Sequence, residues 1–94
     1  METILKKYDD MRIMRMIKKQ LLNCDHSLEE LKKEYNDKDD ELLVLGITRE
    51  VTKRPVDEEA IEALILRLEA LQKEIANLEE DKSKLAIYNP YTGR

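Results

Sequence analysis

The stretch DEEAIEALILRLEALQKEIANLEEDKSKLAI, residues 57–87, constrains this chain more than any other. Ile61, Leu64, Leu68, Leu71, Ile75, Leu78, Lys82 and Leu85 follow one another at alternating steps of three and four. That spacing keeps one stripe on one side of an α-helix and is the seam of a coiled coil, here with a single polar interruption at Lys82. Its start is marked by Pro55, which keeps the preceding chain out of helix, and by Asp57, a capping side chain. Glu58 and Glu59 suit the positive end of the helix dipole, and Val56 is placed to staple onto Ile61. Burying one such Leu or Ile stabilises by roughly 1.5–3 kcal/mol, so a seam of seven demands a partner surface.

An earlier stretch carries the same signal. Met14, Ile17, Leu21, Cys24, Leu28, Leu31 and Tyr35 again step by three and four. Upstream of Met14 the phase slips, and Ile4, Tyr8 and Met11 lie one residue out of register. Met11, Ile13, Met14, Met16, Ile17, Leu21 and Leu22 make this helix apolar nearly all round, more than one hairpin partner covers. The fold expected is all-α: an antiparallel helical hairpin, or coiled coil, with an ordered linker, associating into an oligomeric bundle. A single domain over residues 1–94 divides into a helix at about 3–36, a linker at about 37–56, a second helix at about 57–87 and a tail at 88–94. The linker holds apolar Leu42 to Leu45 and Ile47 and is expected to fold back over the hairpin.

Composition supports long surface helices over a thick core: 40% of residues are charged and 4% aromatic. The net charge of −4 is unevenly spread. Residues 1–20 carry six basic and three acidic groups; residues 21–47 carry three and eight. Such a distribution favours antiparallel or head-to-tail pairing of unlike ends. One cysteine excludes an internal disulfide framework and suits a reducing compartment, so the cytoplasm is expected. No run of 18 apolar residues and no signal-peptide pattern is present, and no membrane role is expected.

The chemistry-bearing residues are few. Cys24 and His26 are two apart and point to opposite sides of a helix, so they do not share a metal ion. With no phosphate-cradling glycine loop and no assembled acid–base set, no catalytic, cofactor-binding or metal-binding residue is assigned, and no cofactor is expected. The basic residues Arg12, Arg15, Lys18 and Lys19 are the candidates for phosphate contact. They alternate with Met and Ile, without stacking aromatics, which argues against nucleic acid as the partner. Met14, Ile17, Leu21, Leu28 and Leu31, with Ile61, Leu64, Leu68, Leu71, Ile75, Leu78 and Leu85, are the candidate oligomer seam. Met11, Ile13, Met16, Tyr88 and Tyr91 are the candidate contacts to a partner. Asn89-Pro90 stops the second helix, and NPYTG is turn chemistry.

The order of a helix, a linker and then RPVDEEAIEALILRLEALQKEIANLEEDKSKL resembles the amino-terminal part of phage late-gene regulators of the ArpU and RinA type, over roughly residues 3–87. The Pro-x-Asp/Glu-Glu opening of the second helix carries the likeness. The resemblance implies two amphipathic helices flanking a variable linker ahead of a DNA-binding region. This chain has AIYNPYTGR where that region would begin, so the resemblance extends to the assembly part alone. The function expected is a non-enzymatic, phage- or mobile-element-encoded interaction protein. It would form a homo-oligomer, most simply a dimer, and regulate or inhibit a host or defence protein. The alternative is a DNA-associated transcriptional regulator acting through its basic first helix.

Overall fold

A computed structural model describes residues 4–89. A short 3₁₀ turn, Ile4–Lys7, leads into α1, Asp10–Glu50, and a connection over residues 51–57 leads into α2, Glu58–Ile87. The two long helices pack against each other as an antiparallel hairpin. Partners across the hairpin run in opposite directions along the chain: Arg49 meets Glu58, Glu34 meets Arg67, Lys32 meets Glu79 and Asp25 meets Lys82.

α2 begins as its sequence dictates, whereas α1 begins at Asp10 and not near residue 3, because Asp9 caps it after a separate 3₁₀ turn. Asp9 accepts a hydrogen bond from the Arg12 backbone N–H at 2.8 Å, and Asp57 accepts one from Glu59 N–H at 3.0 Å. Each satisfies one of the donors that a helix start leaves unpaired. α2 begins and ends where its periodicity places it, with Tyr88 already extended at its C-cap.

α1 departs from the expected boundaries. It does not stop near residue 36 but continues without a break for 41 residues, so the expected linker at 37–56 shrinks to 51–57. The reason is visible along the seam. After Tyr35 the steps of three and four continue through Lys38, Leu42 and Leu45, all half-buried toward α2. Asn and Asp cost only a few tenths of a kcal/mol each in a helix interior relative to good helix formers. Continued burial of two leucines outweighs them. Lys38 holds its seam place by laying its aliphatic stem along the apolar surface while its amine reaches Glu41. Leu43, Val44 and Ile47 therefore do not fold back over the hairpin; they ride on α1 and are exposed.

What ends α1 is a local set of bonds after residue 47. Val51 and Thr52 N–H both donate to the Ile47 carbonyl, and Arg54 N–H donates to that of Thr48. The Thr48 and Thr52 hydroxyls bond back to the carbonyls of Val44 and Thr48. Lys53 adopts φ 58°, the left-handed conformation that reverses the chain, and Pro55 follows.

Among the described residues five side chains are buried: Ile13, Ile17 and Leu28 on α1, Leu68 and Leu71 on α2, with Leu71 completely closed to solvent. The other seam residues, Met14, Leu21, Leu31, Ile61, Leu64, Ile75, Leu78 and Leu85, are half-buried. Ile13, a candidate partner contact by sequence, is only 5% exposed. α1 is eleven residues longer than α2 and overhangs it at the free end. Leu5 and Tyr8 from one side, and Leu85 and Tyr88 from the other, line the groove around Ile13 and Ile17.

Gly46 lies inside this continuous helix, and a methyl group added at its Cα meets nothing within 4 Å. Gly46→Ala is expected to stabilise the protein by about 1 kcal/mol, read as an upward shift in the midpoint of a urea or thermal melt followed by circular dichroism. A fall in stability would mean that residues 37–50 are not helical.

Candidate interaction surfaces

The antiparallel packing gives the hairpin two flanks of different character. On one flank lie the residues that immediately follow a seam residue. Lys32 pairs with Glu79 at 3.5 Å, and Gln72 donates to the Tyr35 hydroxyl at 3.1 Å. Asp25 also lies here and reaches across to Lys82, the polar residue of the α2 seam. The Asp25 carboxylate holds the Lys82 ammonium above its ordinary pKa, chiefly through their hydrogen bond. This flank is laced by polar bridges.

The other flank is made by residues that immediately precede a seam residue. Its middle is held by Arg67, whose guanidinium donates to both carboxylate oxygens of Glu34, at 2.7 and 2.9 Å, and approaches Glu74 at 3.7 Å. The two-pronged geometry is the strong form of such a pair. Hydrogen bonding from Arg67 lowers the Glu34 pKa below 4.5, and Arg67 is raised in turn. To either side of this clamp the flank opens into apolar grooves. One, near the loop, is lined by Val44, Leu45, Ala60, Ala63 and Leu64, with Glu34, Asp37, Asp40 and Glu41 along its wall. The other, at the free end, is lined by Tyr8, Ile13, Met16, Ile17, Leu85 and Tyr88, with Arg12 and Lys84 on its rim. A third furrow, past Cys24, Ser27 and Leu78, adjoins the free-end groove through Gln20, Lys84 and Leu85. The end grooves, about 970 and 550 Å³, have room for several side chains. Both are open furrows along the helices, without the enclosure of a small-molecule site.

The sequence-nominated residues divide between these surfaces. Met11 and Met16 are exposed, at 70% and 51%, and Met16 lines the free-end groove with half-buried Tyr88. Ile13 lies beneath them and offers no free surface. Tyr91 falls outside the described residues. Arg12, Arg15, Lys18 and Lys19 are all exposed on the first turns of α1, and the Arg12 guanidinium stacks 5.1 Å from the centre of the Tyr8 ring. The loop end was missed by the sequence reading. Leu43, Val44 and Ile47 on α1 and Val51 at its C-cap, with Ile65 and Leu66 on α2, are large apolar groups in solvent. Their signal was present as an apolar cluster, but its exposure follows only once residues 37–50 are helix.

His26 sits in solvent, with Nε2 3.2 Å from Glu30 one turn on, and Cys24 is half-buried in the seam. Among the described residues no group of three or more His, Cys, Asp or Glu is arranged to hold a metal ion, and no helix is long and apolar enough to cross a membrane. Comparison with protein-family models, with curated proteins and with solved structures found no match.

The Glu34–Arg67 clamp has a signed pH consequence. A carboxyl whose pKa is lower in the folded state contributes stability above its unfolded value, and that contribution is lost as pH falls through the folded value. Thermal melts between pH 6 and 2.5 should therefore show a decline below about pH 4.5 that is shallower in Glu34→Gln. Identical slopes would mean the clamp contributes nothing to folding.

Proposed function

We propose that this chain is a non-enzymatic protein-interaction module that self-associates, most simply as a dimer, and regulates or inhibits another protein by covering its surface. The observation that carries this reading is how much apolar surface the hairpin leaves uncovered. A compact monomer of 11.1 kDa exposes about 5,700 Å²; this chain exposes 7660 Å². Its radius of gyration is 20.5 Å, against about 12 Å for a compact domain of this length. The excess is not simply a charged surface, because thirteen large apolar side chains are exposed among the described residues. Patches of that kind mark contact surfaces. The likeness to the assembly part of phage late-gene regulators supports a phage or mobile-element origin and a host or defence protein as the target.

Two measurements test the reading. Sedimentation equilibrium at micromolar concentration should give a mass above 11.1 kDa, and a clean monomer overturns self-association. Capture from host lysate should retain a protein on the wild-type chain and lose it on Leu43→Asp/Ile47→Asp, with the helical circular dichroism of both unchanged. Equal capture by the two would remove the loop-end patch from the reading.

A second reading keeps a DNA-associated regulator, because Arg15, Lys18 and Lys19 stand exposed beside Arg12 on one end of α1. Titration of labelled duplex at low salt is expected to show weak or no binding, given the net charge of −4. Sub-micromolar affinity that falls steeply with salt, and is lost in Lys18→Glu/Lys19→Glu, would favour this second reading.

A further inference from the structure

The two end grooves lie on the same flank of the hairpin and are opposite in charge. We infer that this flank docks on the same flank of a second copy, turned end for end, so that each free-end groove receives the partner's loop end. The inference deepens the self-association proposed above and rests on it.

Position is the first support. Val44 and Met16 each lie one residue before a seam residue on α1, as Ala63 and Lys84 do on α2, so both grooves open on the flank that carries the Glu34–Arg67 clamp. A two-fold axis crossing the middle of that flank superposes one groove on the other. It stacks α1 on the partner's α1 and α2 on the partner's α2, each pair antiparallel, giving a four-helix bundle. Met16 and Val44 are equidistant from residue 30, which is also the midpoint of α1, Asp10–Glu50. The same operation therefore overlaps α1 along its whole length.

Charge is the second support. The free end, residues 4–20 with 80–89, carries eight basic and four acidic groups, net +4. The loop end, residues 36–66, carries four basic and nine acidic, net −5. Asp37 and Asp40 face the loop-end groove, and Arg12 and Lys84 face the other. An end-for-end pair sets unlike charges together at both ends, whereas a parallel pair sets like charges together at both, an arrangement that costs stability. The opposite flank is already bridged by Lys32–Glu79 and Asp25–Lys82.

Area is the third. The hairpin is two helices wide over the length of α2, about 45 Å at 1.5 Å per residue, and its second dimension is 25 Å. A face of that size is on the order of 1,000 Å² per partner, which meets the ~800 Å² of a stable interface. Because the contact is isologous it closes at two chains.

Charge reversal tests the arrangement. Arg12→Glu/Lys84→Glu turns the rim of the free-end groove acidic and takes that end from +4 to 0, and Asp37→Lys/Asp40→Lys takes the loop end from −5 to −1. Each alone should sediment as monomer with unchanged helical content, and an equimolar mixture should restore the dimer. A second variant set does not depend on charge. In a Cys24→Ser background, Met16→Cys/Val44→Cys should form a covalent dimer on mild oxidation, since the two cysteines of one chain are about 42 Å apart along α1 and cannot meet. Met16→Cys alone should give none. Cross-linking of Met16→Cys alone, or a wild-type dimer that survives both charge reversals, overturns the end-for-end arrangement and leaves self-association standing. A wild-type chain that is monomeric at micromolar concentration overturns both.

Discussion

Everything in this molecule depends on one seam between two helices. Leu68 and Leu71, the buried pair of α2, and Ile17 and Leu28 of α1 are the places where the seam closes fully. A two-helix hairpin has one such seam and little other interior, since each helix turns only one stripe toward its neighbour; among the described residues Ile13 is the buried side chain that lies off it. The rest of both surfaces faces outward. The elongated shape and the exposed apolar groups at the two ends follow from that arithmetic, and the proposed function rests on them.

The charges do a different job. The eight Lys and Arg ion pairs described between side chains are at the surface and each contributes little to stability. Four of them cross the hairpin, and their value lies in choosing among pairings. Lys82 occupies a seam position and is matched across the hairpin by Asp25, and the clamp of Glu34 by Arg67 is met at one register only. A slip of one helix against the other by a turn would leave Lys82 among apolar neighbours without its carboxylate. Polar residues set into an apolar seam specify register in this way at some cost in stability. The same logic, extended to the net charges of the two ends, favours an end-for-end partner over a parallel one.

The two ends of the hairpin differ because the helices differ in length. At the loop, α1 and α2 are joined by seven residues and their outer apolar groups stay in solvent. At the free end α1 outruns α2, and the 3₁₀ turn with Leu85 and Tyr88 gathers around the overhang. One end therefore presents exposed apolar groups beside a groove walled with acids, and the other a furrow edged with bases.

The sequence by itself determined the two helices, their seams, the start of α2 at Asp57 and the antiparallel pairing. Helical periodicity and capping are local properties, written in residues three and four apart. It also showed too much apolar surface for one hairpin. Tertiary structure decided the rest. Asn36 to Asp40 read as a helix end, but their weak preferences yield once Leu42 and Leu45 find α2 to pack against, and the helix runs on to Glu50. Ile13 read as surface, but becomes interior because residues more than seventy positions later return to cover it. Which flank is bridged and which is grooved is likewise set only when the two helices take their places, since it depends on which side chains of one meet those of the other.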